Sequence, residues 1–142
     1  MVSSPVSTAA ATQAFLALAE QWTQCHRERD IEKLLSFYTP DARVFAPFRP
    51  LAEGTVAIRQ LWHDDFNAWR TRNLRVETTK TTVSGDIAFC EGTYTADITL
   101  PNGKSIRDHG KWLNGYRLVG TTWKILAQSW SSNQPVSALF GQ

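Results

Sequence analysis

The sequence predicts a single α+β domain, and three observations carry that reading. Helical spacing of apolar residues is confined to the first half of the chain. From about residue 73 onward the pattern changes to long alternating stretches, broken by Ser84-Gly85-Asp86 and by Pro101-Asn102-Gly103. Helices followed by antiparallel strands is the order in which helices pack on one face of a sheet. At 142 residues the chain has room for one core, with roughly 68–70% of the unfolded surface buried.

Residues 1–7 read as a loose tail of Ser, Pro and Val, residues 8–132 as the domain, and residues 133–142 as a C-terminal tail. From Thr8 to Arg29, Phe15, Leu18, Trp22 and Cys25/His26 recur at three and four residues, which predicts a first helix. Asp30 opens a second, DIEKLLSFY, with Ile31, Leu34, Leu35 and Tyr38 on the buried side, and Pro40 stops it. Arg43 to Ala46 is a short extended run closed by Pro47 and Pro50. Gly54-Thr55 starts a third helix with Thr55 as its N-cap. Its stripe of Ile58, Leu61, Trp62, Phe66 and Trp69 is interrupted only by Asp65.

Three β-rich stretches follow, over 73–100, 104–119 and 122–132. Alternation places Ala88, Cys90, Gly92, Tyr94, Ala96 and Ile98 on one face, toward the helices. The matching set on the next strand is Gly110, Trp112, Asn114, Tyr116 and Leu118. Asp108 has the same inward parity but lies near the strand's start, where a bulge would turn it. The opposite face is rich in Thr and is either wet or covered by another subunit.

Composition narrows the function. Apolar residues at 42% and charged residues at 20% are ordinary globular proportions and exclude a disordered chain. A net charge of +2 gives no electrostatic footprint for nucleic acid. No segment approaches the roughly eighteen consecutive apolar residues of a membrane span. The opening MVSSPVSTAA lacks the basic and apolar regions of a secretory signal, so the expected location is cytoplasmic. Cys25 and Cys90 make neither a disulfide framework nor a zinc motif, and His26, His63 and His109 lack ligand spacing. No phosphate loop, HExxH, CxxC or GxSxG is present, and no metal or cofactor is expected. Arg70, Arg72 and Arg75 read as a solvated helix end, because no aromatic interleaves them.

Six tryptophans imply either a large core or a cavity walled by rings. Polar residues on the inward faces then become the candidates. Asn114, between Trp112 and Tyr116, needs a hydrogen-bond partner, either structural or a ligand oxygen. Asp65 in the apolar stripe would serve as a general base, or else be a capping or salt-bridged residue at the stripe's edge. His26, one turn beyond Trp22, would be an acid or base at the pocket's mouth, or a cation favoured by its helix C-terminus.

DIEKLLSFYTPDARV, a proline-containing loop, GTVAIRQLW and strands ending in WKILAQSWS together resemble the nuclear-transport-factor-2-like superfamily, in its SnoaL-like and ketosteroid-isomerase-like branch. The resemblance covers about residues 12–132. It implies a cystatin-like cone, with three N-terminal helices closing over a strongly curved, mainly antiparallel sheet around a deep apolar pocket. It also implies a homodimer, expected here through the outer face of the sheet. The isomerases' helix-one Tyr falls on Trp22, their base on Ala46 before Pro47, and their second donor on Asn114 in LNGYRL. Their helix-three aromatic falls on Trp62, its helix-two partner on Tyr38, and the last-strand aromatic on Trp130. All three catalytic positions therefore depart from the isomerase pattern, and an alanine takes no proton.

The expectation is a pocket for a small, largely apolar, ring-containing molecule. Its walls would be Trp22, Tyr38, Trp62, Tyr94, Trp112 and Trp130, with Ala46 and Gln128 also lining it. Asn114 would offer an amide N–H to a ligand oxygen. An enzymatic version, acid–base isomerisation, dehydration or aldol-type cyclisation, needs Asp65 or His26 as base. The rivals are a non-catalytic ligand-binding module and a dimeric association domain.

Overall fold

The structure, a computed structural model, describes residues 8–100 and 102–140. The tail assigned to residues 1–7 lies outside the described residues. Helix α1 spans Thr8–Glu28, α2 Ile31–Leu35 and α3 Gly54–Asp64. A π-helical turn, Asp65–Trp69, extends α3. The strands are β1 Tyr38–Phe45, β2 Ala52–Glu53, β3 Arg72–Ser84, β4 Ile87–Thr99, β5 Ser105–Val119 and β6 Thr122–Ser132. They form one sheet in the order β2-β1-β6-β5-β4-β3, antiparallel throughout except for β1 on β6. The α+β, mainly antiparallel expectation agrees with this arrangement, as do the positions of β3 to β6, whereas β1 is longer than the expected run from Arg43 to Ala46 and β2 was not anticipated.

The inward faces follow from alternation. Ala88, Cys90, Gly92, Tyr94, Ala96 and Ile98 are all buried, as are Gly110, Asn114 and Tyr116, while Trp112 and Leu118 are half-buried. Asp108 keeps its inward parity, because β4 and β5 pair without a break from Ile87↔Arg117 to Thr99↔Ser105. Helix α1 is clipped to β3 by Arg27, whose Nε and Nη2 donate to the carbonyl of Leu74 at 3.3 and 3.0 Å.

Four local expectations are corrected. The second helix ends at Leu35, and Tyr38 begins β1. Pro40 therefore sits inside a strand, at the break in β1–β6 register between Tyr38 and Arg43, where its missing N–H costs no ladder bond. The third helix is preceded by Glu53 in extended conformation and entered through Gly54 at φ +86°, so Thr55 lies within it. The C-terminal stretch is not all tail: α4, Val136–Phe140, folds back so that Leu139 is buried with Ile98 and Leu100.

Candidate functional site

Between the helices and the concave face of the sheet lies a cavity of about 130 Å³. Five of the six tryptophans line it, namely Trp22, Trp62, Trp69, Trp112 and Trp130, while Trp123 packs on Phe15 in the core. The rings are fixed against one another. Trp62 stacks on Trp130 (5.6 Å, 11°) and meets Trp22 edge-on (5.6 Å, 69°). The interior is therefore hollow rather than packed solid by indoles. A cavity of this scale matches those that take one benzene-sized ring.

One polar pole is built from cross-strand neighbours. Asn114 and Gln128 are paired in register across β5 and β6. Tyr38 donates its hydroxyl to Gln128 Oε1 at 2.6 Å, which leaves the Gln128 amide nitrogen as a donor. Asn114 Nδ2 donates to the Tyr116 hydroxyl at 3.0 Å, and its buried Oδ1 has no partner. One of the two Asn114 amide N–H groups is thus taken up within the protein, and the unpartnered Oδ1 adds an acceptor to the donor role that the sequence suggests. The indole nitrogens of Trp22 and Trp62 act on the Tyr38 hydroxyl, yet neither closes a hydrogen bond. Two buried donors and one acceptor without partners in one region are unusual, because such groups are normally satisfied.

The π-helical turn shapes a second cluster. Its wider winding carries Asp65 and Phe66 inward, so the carboxylate that broke the helical stripe lines the cavity. Arg49 Nη1 lies 3.3 Å from Asp65 Oδ1, and the guanidinium sits 5.7 Å from the Trp69 ring and 5.8 Å from that of Trp130. His26 Nε2 is 3.7 Å from Asp65 Oδ2, close enough to feel its charge but too far for a hydrogen bond. The imidazole is itself enclosed by Trp22, Trp62 and Phe66.

Asp108 makes the third cluster. Its Oδ2 accepts from the Tyr94 hydroxyl at 2.9 Å and its Oδ1 from the Ser132 hydroxyl. Ser132 Oγ in turn accepts from the Gln134 backbone N–H at 2.9 Å, which aims the serine proton at the carboxylate. Tyr94 reaches Asp108 only because residue 110, its cross-strand neighbour, is glycine: a Cβ there would lie 2.7 Å from the Tyr94 ring.

Of the residues singled out in the sequence, Asn114, Asp65, His26, Trp22, Trp62, Tyr94, Trp112, Gln128 and Trp130 line the cavity. Tyr38 and Ala46 do not; both are buried in the core, Tyr38 behind Gln128 and Ala46 beside the lining residue Pro47. His63 and His109 are exposed. The sequence reading misses Arg49, in the loop Pro47-Phe48-Arg49-Pro50, and no local pattern marks it.

All three tyrosines of the chain place their hydroxyls in these clusters, and burial pushes each above the ordinary value of 10. For Tyr94 the charge of Asp108, the hydrogen bond to it and the charge of Asp65 add to the effect of burial. A raised value in the folded state means that the neutral hydroxyl favours folding. That contribution is intact below pH 10 and is lost as pH rises past it, once unfolded tyrosines ionise. A spectrophotometric titration should therefore show almost no tyrosinate at pH 10 in the native protein and about half in urea. Half-ionisation at pH 10 of the folded chain would contradict the burial.

The family model for the SnoaL-like domain matches residues 19–119. No curated protein matches the sequence. Among solved structures, the chain is similar to a ketosteroid isomerase-like protein from Erwinia carotovora atroseptica SCRI1043 at TM-score 0.77 and 20% identity, over 87% of this chain and 96% of that one. It is similar to an NTF2-like protein of unknown function from Pseudomonas putida KT2440 at TM-score 0.70 and 23% identity, over 94% and 93%. A third likeness is to a protein of unknown function with a cystatin-like fold from Nostoc punctiforme PCC 73102, at TM-score 0.71 and 16% identity, over 92% and 98%. At these identities the likeness shows the fold.

Proposed function

From the premise that this chain belongs to the SnoaL-like domain family, we propose that it binds one small, largely apolar, single-ring molecule carrying a hydroxyl or enol. The observation that carries the reading is the hollow between Trp22, Trp62, Trp112 and Trp130, with unpaired hydrogen-bonding groups at one pole. A hydroxyl is the smallest group that satisfies the Asn114 acceptor while accepting from the Gln128 amide. About 130 Å³ suits one ring and is too small for a fused four-ring steroid.

Thermal shift with p-cresol and benzyl alcohol tests this. Ligand at a hundredfold excess over its Kd adds about 2.7 kcal/mol, which raises Tm by several degrees in a domain of this size. A shift with steroids and none with either single-ring alcohol would contradict the reading. Asn114→Leu keeps the side chain's volume and removes the acceptor, so it should weaken p-cresol binding roughly tenfold. Undiminished affinity would remove Asn114 from the site.

A second reading is acid–base catalysis at a carbon beside a carbonyl: isomerisation, dehydration or aldol-type cyclisation. It is favoured by Asp65 and His26 lying side by side on the cavity wall, where either would supply the base absent at Ala46. Undiminished turnover of such a substrate by both Asp65→Asn and His26→Gln would end it.

The outer face of the sheet supports a dimer as a further part of the proposal. Phe89 (52% exposed), Leu113 (51%) and Phe45 (44%) project from β4, β5 and β1 among threonines. Leu113→Lys places a charge in that face and should shift sedimentation from dimer to monomer while leaving ligand binding intact. An unchanged sedimentation coefficient would contradict the dimer or its location.

A further inference from the structure

The charges around the cavity do not balance. Its lining holds one guanidinium, Arg49, against two carboxylates, Asp65 and Asp108, with the imidazole of His26 beside Asp65. Arg49 is engaged by Asp65. Asp108 is only 7% exposed and meets hydroxyls alone, with no cationic partner among the described residues. This is unexpected in a chain of net charge +2, since a buried carboxylate is normally paired.

The carboxylate is also held rather than merely enclosed. Tyr94 and Ser132 each fill one oxygen, the Gln134 N–H fixes the serine, and Gly110 and Ala96 keep bulky side chains off the flanking positions. Each oxygen keeps a lone-pair direction for a further donor. Trp112 stands four residues from Asp108 along the same face of β5, and Trp69 and Trp130 complete an aromatic wall. Asn114 is six residues from Asp108 on one strand, roughly 20 Å along the chain, so the two are separate poles.

We infer that Asp108 is a cation subsite, and that the preferred occupant of the cavity is a ring-bearing primary amine whose ammonium group replaces the missing counter-charge. The inference rests on the reading that the cavity takes a single-ring molecule. Rings and a fixed carboxylate are the combination that recognises organic ammonium ions, through cation–π attraction and charge-assisted hydrogen bonds. Arg49 opposes an incoming cation, but its charge is answered by Asp65, whose field also reaches the Tyr94 hydroxyl.

Calorimetric titration of the full chain at pH 7 with benzylamine, benzyl alcohol and benzoate tests this, since the three share one ring and differ in charge. The expected order is benzylamine, then benzyl alcohol roughly tenfold weaker, then benzoate. Asp108→Asn should erase the amine's advantage over benzyl alcohol, so that the two bind with equal affinity. Alcohol binding as tight as amine binding overturns the cation subsite and leaves the ring-binding reading standing. Benzoate binding tightest overturns it in favour of Arg49. Failure of all three to bind overturns the ring-binding reading and this inference with it. Because the wild-type order is read without any substitution, a misfolded variant does not blunt the test.

Discussion

Gly110→Ala should destabilise the protein by about 3 kcal/mol or more, lowering Tm on the order of 10 °C. A Cβ at this position would lie 2.2 Å from the Ser131 carbonyl oxygen and 2.7 Å from the Tyr94 ring. The first contact is with backbone and does not yield without parting β5 from β6. The second displaces the ring that carries a hydroxyl to Asp108. Gly115 on the same strand provides the control, because its Cβ would meet only Phe89, at an ordinary 3.6 Å. Gly115→Ala should therefore change stability by less than about 0.5 kcal/mol. Chemical denaturation of both variants separates a general strand effect from this local one, and equal losses would contradict the packing around Tyr94.

Arg49→Met should cost about 3 kcal/mol, because it leaves the buried Asp65 carboxylate without its guanidinium. Most of that cost belongs to the stranded charge rather than to the lost pair. The double variant Arg49→Met/Asp65→Asn should consequently be more stable than Arg49→Met alone. His26, 3.7 Å from Asp65, does not replace the guanidinium, since no hydrogen bond closes at that distance. Urea midpoints for the three variants decide it: a double variant no more stable than the single one would contradict a charge-centred account. Arg49 also lies over the Trp69 and Trp130 rings, so its loss should loosen the wall that those rings form.

Why some of this is readable in the sequence and some is not follows from the range of the forces involved. Strand faces were legible because alternation is local and the β4–β5 ladder runs unbroken, so Asp108, Asn114 and Tyr94 land on the concave side as parity requires. Asp65 was legible as an interruption of an apolar stripe, although the π-helical turn that aims it inward leaves no periodic trace. Arg49 was not legible, because its partners on α3's extension and β6 are brought to it only by chain closure. Tyr38 was misplaced for a related reason. Its apolar spacing after Leu34 suits a helix, but pairing of β1 with β6 makes it the first residue of a strand. Helix α4 went unseen because five residues carry too little pattern, and Leu139 is buried only through Ile98 and Leu100. The inward parity of Asn114 was legible, but the use of one of its amide N–H groups by Tyr116, two residues away on the same face, was not.

The Asn114 and Gln128 side-chain amides report directly on whether a ring-bearing alcohol enters the cavity. Following their NMR resonances during a titration with p-cresol should show both shifting together and saturating with the calorimetric Kd, while the exposed amide of Asn133 stays still. Saturable binding that leaves the two buried amides unmoved would place the ligand elsewhere and contradict the account.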